Sequence, residues 1–253
     1  MRFAMLCFVA MVLGAALLPL DCKAQVDHSP LGGLLQRHVR EGLVDYAGMA
    51  AEVDVLDTYI ESLAAPLPND ASREEKLALY INAYNACTLR MILRHYGDIA
   101  SITEIEDRFG YHQWKHEEWR IAGETLSLDQ MEHAKLRDEL QEPRIHFAIV
   151  CASISCPPLR AGAYTALDID AQLDEAARVF LASPEGLVLD KADSSITISR
   201  IFDWFAGDFT RGGTLLEFIA PYAPEDIRQW LEDNPEPDVG FLDYNWSLND
   251  LTS

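Results

Sequence analysis

Apolar residues recur every three or four positions along most of this chain, and the clearest run lies between Ser72 and Gly97. Ser72 and Glu75 have the spacing of a capping box, in which each side chain bonds the backbone amide of the other residue. Gly97 suits the left-handed position that often ends a helix. The pattern therefore predicts one long amphipathic helix between these two signals.

Similar periodicity predicts further helices, at residues 31–41, 49–64, 127–137, 167–181, 201–209, 214–222 and 224–232. Strand patterns predict a hairpin at residues 119–126 that turns at Gly123 and Glu124, a second hairpin at 187–199, a buried strand at 145–151 and a closing strand at 239–244. Because helices and hairpins are segregated, the order predicts a single α+β domain with helices packed on a small, mostly antiparallel sheet. Papain-like and transglutaminase-like arrangements are the two specific topologies considered.

The first 24 residues have the organisation of a secretory signal peptide. Arg2 is followed by an apolar run, and the small residues Cys22 and Ala24 precede the expected cleavage point. This run is short for a spanning helix, and no later segment is long and apolar enough to cross a bilayer. We therefore expect residues 25–253 to form the mature domain, periplasmic or secreted, with no integral membrane span after cleavage.

The chain is strongly acidic, with a net charge of −21 over its 253 residues. Removing the expected leader takes away two basic residues and one acidic residue, which leaves −22. Such a charge disfavours binding to nucleic acid or to an anionic membrane. The acidic residues are interpreted as a solvated surface, with a cationic partner as the alternative.

The densest chemistry lies in residues 144–160, which carry His146, Cys151 and Cys156. Cys156 directly precedes two prolines, and proline suits the first turn of a helix. A cysteine at the cap position of that helix would be favoured as a thiolate, as a nucleophile requires. His146 and His133 are the two candidates for the base that would accept or share its proton.

Other interpretations of the same residues stay open. On a strand, His146 and Cys151 would lie on opposite faces, so they are not expected to meet directly. Export favours oxidation, so a Cys151–Cys156 disulfide competes with a catalytic thiol and with plain buried thiols. Cysteine and histidine pairs at ligand spacing are missing, and the glycines form no phosphate loop, so neither a metal nor another cofactor is expected.

Asn82 and Asn85 share one face of the long predicted helix, because residues three apart are neighbours there. One of them could orient a catalytic imidazole, as in Cys-His-Asn enzymes. The alternative is a buried amide pair that holds a loop through its backbone groups. A mixture of acids and aromatics at residues 203–209, including Asp208, is interpreted as amphipathic helix packing, with a sugar-binding or carboxylate-pair site as the alternative.

These residues resemble a known family, catalogued as domain of unknown function 547, over about residues 42–249. The similar motifs are 80–86 with Asn82 and Asn85, 126–133 with His133, 145–157 with His146 and both cysteines, and 201–209. The closing motif at 244–249 departs from the family pattern at Asn245, where aspartate is expected. The resemblance implies one domain over most of the mature chain, and it carries no established activity.

The working hypothesis is a thiol hydrolase or acyltransferase that acts on a peptide or a cell-envelope substrate. Cys156 is the expected nucleophile, with Cys151 as its neighbour, His146 or His133 as the base and Asn85 or Asn82 as the orienting residue. The alternative is a non-catalytic binding or scaffold domain in which Cys151 and Cys156 are oxidised together.

Overall fold

The computed structural model describes residues 26–105 and 112–252 of the chain. The predicted signal peptide, residues 1–24, lies outside these ranges. Among the helices in these ranges, none combines the length and the apolar character needed to cross a membrane.

Helices dominate the described part of the fold. The α-helices are α1 Ser29–His38, α2 Tyr46–Ala50, α3 Val53–Ser62, α4 Arg73–His95, α5 His112–His116, α6 Leu128–Gln130, α7 Ile169–Leu181, α8 Ile201–Trp204, α9 Ala206–Phe209, α10 Leu215–Ile219 and α11 Glu225–Asp233. Short 3₁₀ helices cover Ile102–Ile105 and Pro143–Phe147, and a π-helix covers Met131–Glu139. The strands are β1 Val39–Arg40, β2 Leu43–Val44, β3 Trp119–Ile121, β4 Glu124–Leu126, β5 Leu187–Asp190, β6 Ser195–Ile198 and β7 Asp238–Phe241.

The strands form two small hairpins and one three-stranded sheet. β1 pairs with β2 and β3 with β4, both antiparallel. In the larger sheet, β5 is antiparallel to the central strand β6, and β7 runs parallel to β6. Sheets this small need packing against helices to be stable. The α+β prediction is therefore confirmed, with a sheet that is mixed at its β7 edge.

The long helix α4 is the centre of the larger hydrophobic core. Both bonds of the predicted capping box are present, between Ser72 and Glu75. Nearly every residue from Leu77 to Ile92 is buried, so α4 is surrounded on all sides rather than lying on the surface. The predicted helix at residues 49–64 differs from the structure, because a turn divides it into α2 and α3.

The predicted buried strand at residues 145–151 is wrong. The chain forms the 3₁₀ helix Pro143–Phe147 and then runs irregularly to Cys151. Glu142 caps this helix by accepting a bond from the Arg144 amide, and Pro143 occupies its first turn, where proline is favoured. Glu142 followed by Pro143 is the sequence signal that indicates a helix start here. The alternation argument that separated His146 from Cys151 therefore does not apply.

This 3₁₀ helix joins the two hydrophobic cores of the protein. Ile145 and Ala148 belong to the core around α4, whereas Phe147 belongs to a second core formed mainly by α7 to α11 and the larger sheet. Phe147 contacts the rings of Phe202 and Phe209 at centroid distances of 5.9 and 5.8 Å. His146 lies between Ile145 and Phe147, so the packing of both cores determines its position.

Candidate active site

A cavity of about 460 Å³ lies where the two cores meet, and four of the predicted site residues line it: His133, His146, Cys151 and Cys156. Glu132 and Asp129 add acidic groups to the wall. Much of the remaining wall is aromatic, from Tyr84, Trp114, Trp204, Phe205, Tyr244 and Trp246. A mostly apolar cavity with a few convergent polar groups has the usual character of a small-molecule or active site.

The two thiols are in direct contact and are not joined. The Sγ atoms of Cys151 and Cys156 lie 3.0 Å apart, and both cysteines are free. The Cys151 backbone amide also donates to the Cys156 sulfur at 3.0 Å. The Cys151 sulfur is 3.1 Å from the Ser153 hydroxyl and 3.5 Å from the Tyr244 hydroxyl. Cys151 is therefore the sulfur surrounded by side-chain donors.

These donors separate the acidities of the two thiols. The hydrogen bond from the Cys156 thiol, together with the two hydroxyls, lowers the pKa of Cys151 to about 6. Burial and the adjacent Cys151 sulfur raise the pKa of Cys156 well above its usual value. Burial likewise raises the pKa of the Tyr244 hydroxyl, which keeps it a donor. These contacts favour Cys151 as the sulfur that carries the negative charge and Cys156 as the sulfur that keeps the proton.

The expected helix cap at Cys156 is also wrong. Beyond Cys156 the chain continues through Pro157 and Pro158 without a helix until α7. The loop is held instead by the C-terminal segment: the Ile154 amide donates to the Ser247 carbonyl, and the Asn245 amide donates to the Ser155 hydroxyl. The proline pair therefore continues the chain away from Cys156 as an extended segment. The pKa of the thiols is determined by side-chain hydrogen-bond donors rather than by a helix dipole.

The loop between the cysteines also carries backbone strain. Ala152 has a φ of +67°, in the left-handed region that residues with a side chain rarely adopt. The Asn249 amide donates to the Ala152 carbonyl and helps to hold this conformation. Strain of this kind costs of the order of 1 kcal/mol and is concentrated at functional sites. Its effect here is to turn the chain so that the two sulfurs meet.

His146 is paired with a carboxylate that the sequence-based interpretation treated as packing. Its Nε2 lies 2.8 Å from Asp208 Oδ2, and both side chains are nearly inaccessible to solvent. The imidazole also stacks on Phe205 at a centroid distance of 4.0 Å. With Nε2–H donating to the carboxylate, Nδ1 keeps a lone pair, and no described hydrogen bond uses it. His146 lines the cavity, and Nδ1 is the ring nitrogen left available to accept a proton.

Asp208 holds three cationic or polar groups at once. Besides His146 it accepts from Arg137 Nε at 2.5 Å and from Arg211 at 2.7 Å. Burial opposes ionisation of Asp208, but the bonds from His146 and Arg137 outweigh it and hold the pKa of this carboxyl well below its usual range. Burial also lowers the pKa of His146, against the pull of Asp208, so the imidazole is neutral at pH 7. A neutral, oriented imidazole is the form that acts as a base.

The other histidine, His133, has both ring nitrogens engaged. Arg137 donates to its Nδ1 at 2.5 Å, and its Nε2 is 3.5 Å from Asp129. His133, Arg137 and Glu132 all lie on the π-helix Met131–Glu139, a rare form that is common at functional sites. This wider helix was predicted as ordinary α-helix. Of the two candidates, His146 is therefore the one with a free nitrogen for catalysis.

Asn82 and Asn85 hold backbone rather than an imidazole. Asn82 makes two bonds with the backbone of Tyr164, and Asn85 donates to the Ala148 carbonyl and accepts from the Val150 amide. Neither contributes to the cavity wall. The backbone-holding alternative is therefore the one that these contacts support. Asn85 ties down the chain immediately before Cys151 and so acts on the site through the backbone.

Replacing Asn85 by alanine should lower the free energy of unfolding by about 2–4 kcal/mol, because two buried backbone groups lose their partners. Chemical denaturation followed by circular dichroism would measure the change. Asn69→Ala is the matched control, since Asn69 is exposed and should change stability little. Equal stability of the two variants would contradict the structural role given to Asn85.

The described residues contain no group of three or more His, Cys, Asp or Glu side chains arranged to hold a metal ion. The third cysteine, Cys87, lies buried within α4 as a free thiol, and burial raises its pKa well above the usual value. The chemistry of the cavity thus rests on a low-pKa thiol, its thiol neighbour, a carboxylate-bound imidazole and an acidic wall.

Part of the chain also matches a known family model. Residues 68–181 match the family model described as "Protein of unknown function, DUF547", which confirms the resemblance recognised from the motifs. The match contains the asparagines, Glu132, both histidines and both cysteines, while Asp208 and Tyr244 lie beyond it. No curated protein and no solved structure matches the chain. The papain-like and transglutaminase-like topologies therefore stay expectations.

Proposed function

We propose that this protein is a thiol-dependent hydrolase or acyltransferase in which Cys151 is the nucleophile, His146 the base and Asp208 the residue that orients the base. The observation that carries the proposal is the His146–Asp208 hydrogen bond of 2.8 Å at the wall of the cavity that also holds the thiol pair. Nucleophile, base and orienting carboxylate are the parts of a catalytic triad, whatever fold supplies them.

The proposed reaction has two stages. The Cys151 thiolate attacks a carbonyl carbon, the new C–S bond forms, and the leaving group departs to give a thioester. Water then attacks the thioester while His146 Nδ1 takes its proton, and cleavage of the C–S bond restores the thiolate. A hydroxyl or amine in place of water makes the same site an acyltransferase.

The proposed nucleophile is Cys151 and not Cys156, which was the residue expected from sequence. Donors converge on the Cys151 sulfur, whereas Cys156 keeps the shared proton and supplies one of those bonds. The proposed substrate is an ester or amide from a peptide or the cell envelope, met after export to the periplasm or the medium. The aromatic wall supports an apolar group next to the scissile bond.

A second candidate is the non-catalytic domain with a Cys151–Cys156 disulfide. The 3.0 Å separation of the two sulfurs favours it, because little movement would join them. In that form neither sulfur is a nucleophile, so the two candidates predict opposite results with acylating reagents.

The test is covalent labelling with p-nitrophenyl acetate, which acylates reactive thiols, applied to the protein before and after reduction and followed by mass spectrometry and peptide mapping. We expect one acetyl group on Cys151, none in Cys151→Ala, and retained labelling in Cys156→Ala. The rate should rise with pH around a midpoint of about 6 in the natural protein, since the thiolate reacts. In Cys156→Ala the midpoint should move upward, because a donor to the Cys151 sulfur is lost. Labelling that resides on Cys156, or no acyl adduct at all, would defeat the proposal.

A further inference from the structure

Glu132 is a partly buried acid in the cavity wall, and the reaction described above leaves it unused. It follows Met131 at the start of the π-helix, and the Tyr84 hydroxyl donates to its Oε2 at 3.4 Å. The cavity that it lines is the one that holds Cys151. Sequence reasoning passed over Glu132 in favour of its neighbour His133.

The charged surroundings of Glu132 come from several elements. Asp129 and Arg137 act on it from its own helical segment, Tyr84 from α4, and Cys151 from the thiol loop. The other titratable groups of the wall are His133, His146, Lys115 and Tyr244, with Cys156 beside Cys151. Arg137, the cation that acts directly on Glu132, is already bound to Asp208 and His133. Within residues 26–105 and 112–252, Glu132 therefore has no ion-pair partner of its own.

We propose that Glu132 is the proton donor to the leaving group when Cys151 is acylated, an inference that rests on the proposed function. In this step the Cys151 thiolate forms the C–S bond, the bond between the carbonyl carbon and the leaving atom breaks, and that atom takes the proton of the Glu132 carboxylic acid. The products are a neutral thioester, a neutral leaving group and the Glu132 carboxylate. After His146 has assisted hydrolysis, it releases its proton to solvent and Glu132 regains one.

Acylation of Cys151 itself changes the acidity of Glu132. Burial raises the pKa of Glu132 to about 7 against the opposing charge of Arg137, and the nearby charges of Asp129 and Cys151 also raise it. Conversion of the Cys151 thiolate into a thioester removes one of those charges. Glu132 therefore becomes a stronger acid at the stage when the leaving group needs a proton. A donor whose pKa lies near neutral pH is also suited to act again in each cycle.

The test compares two acetate esters with the natural protein and Glu132→Gln. p-Nitrophenolate is stable as an anion and leaves without a proton, whereas the alkoxide of an alkyl ester needs one. We expect Glu132→Gln to acylate normally with p-nitrophenyl acetate and about a hundredfold more slowly with an alkyl ester. Glu118→Gln, at an exposed glutamate, is the matched control and should behave as the natural protein with both esters.

The pH profile supplies a second readout. With the alkyl ester, acylation of the natural protein should rise through about pH 6, as Cys151 ionises, and fall above about pH 7, as Glu132 loses its proton. In Glu132→Gln the fall should disappear. An equal slowing with both esters, or no slowing with either, would overturn the role of Glu132. If the natural protein forms no adduct with either ester, the proposed function itself fails, and the two failures are thus distinct.

A measurement without any variant covers the case in which Glu132→Gln does not fold. Difference infrared spectroscopy at pH 7 can follow the carboxylic acid band before and after Cys151 is alkylated with iodoacetamide, which leaves a neutral sulfur. We expect part of the protonated carboxyl signal to be lost, because removal of the thiolate charge acidifies Glu132. An unchanged carboxyl signal would show that the two groups are not coupled, and the proposal would fall.

Discussion

Replacing Asp208 by asparagine should slow hydrolysis of the Cys151 thioester by about a thousandfold while leaving its formation from p-nitrophenyl acetate nearly unchanged. An oriented general base contributes about 10²–10⁴ in rate, and exchange of the carboxylate for an amide weakens both its orientation and its basicity. The rate of thioester formation is unaffected because the donors around Cys151 already favour its thiolate. Stopped-flow measurement of p-nitrophenol release should show a normal burst followed by a much slower steady state.

Asp203→Asn is the matched control for that prediction. Asp203 lies on α8, five residues before Asp208, and its side chain is about half exposed and paired with Arg200. The Asp203→Asn substitution should leave both the burst and the steady-state rate unchanged. Thermal unfolding must accompany the comparison, because Asp208 also binds Arg137 and Arg211. If a folded Asp208→Asn protein hydrolyses the thioester at the normal rate, His146 is not the base.

Oxidation of the Cys151–Cys156 pair should abolish the burst completely, and reduction should restore it. With oxidised glutathione, the two thiols give up two electrons and two protons to form one disulfide, and the oxidant becomes two molecules of reduced glutathione. The 3.0 Å separation of the sulfurs makes the ring closure local. Closing so short a loop should also raise the free energy of unfolding by about 2 kcal/mol, provided that the native geometry is unstrained.

Thiol counting under denaturing conditions would follow this reaction on a chain of residues 25–253, which has three free thiols when reduced and one after oxidation. Cys156→Ala is the control, because it cannot form the internal bond. In the same oxidant it should carry one glutathionyl group on Cys151 instead. Loss of the burst without loss of two thiols would contradict the pairing. A burst that never appears after reduction would favour the scaffold function instead.

The secondary structure of this chain follows its local sequence in most places, and α4 shows why. Its capping box, its closing glycine and its apolar periodicity each depend on residues only a few positions apart, so each can be recognised without the rest of the protein. The prediction fails at residues 145–151, where apolar content suggested a strand. There Asn85, sixty residues earlier, provides the bonds that a neighbouring strand would have supplied. Because Asn85 is so distant in sequence, no pattern near residues 145–151 indicates its hydrogen bonds.

The sequence by itself determined the α+β class, the resemblance to a family, most of the helices and the segment that carries the two thiols, because these depend on local pattern and composition. Only the tertiary structure decided which residues act together. Asp208 meets His146 across 62 positions, and Tyr244 meets Cys151 across 93. Hydrogen bonds of about 3 Å form only after the two cores have packed around residues 143–147. The proposed nucleophile, base, orienting residue and proton donor thus became a single candidate site through packing rather than through any motif.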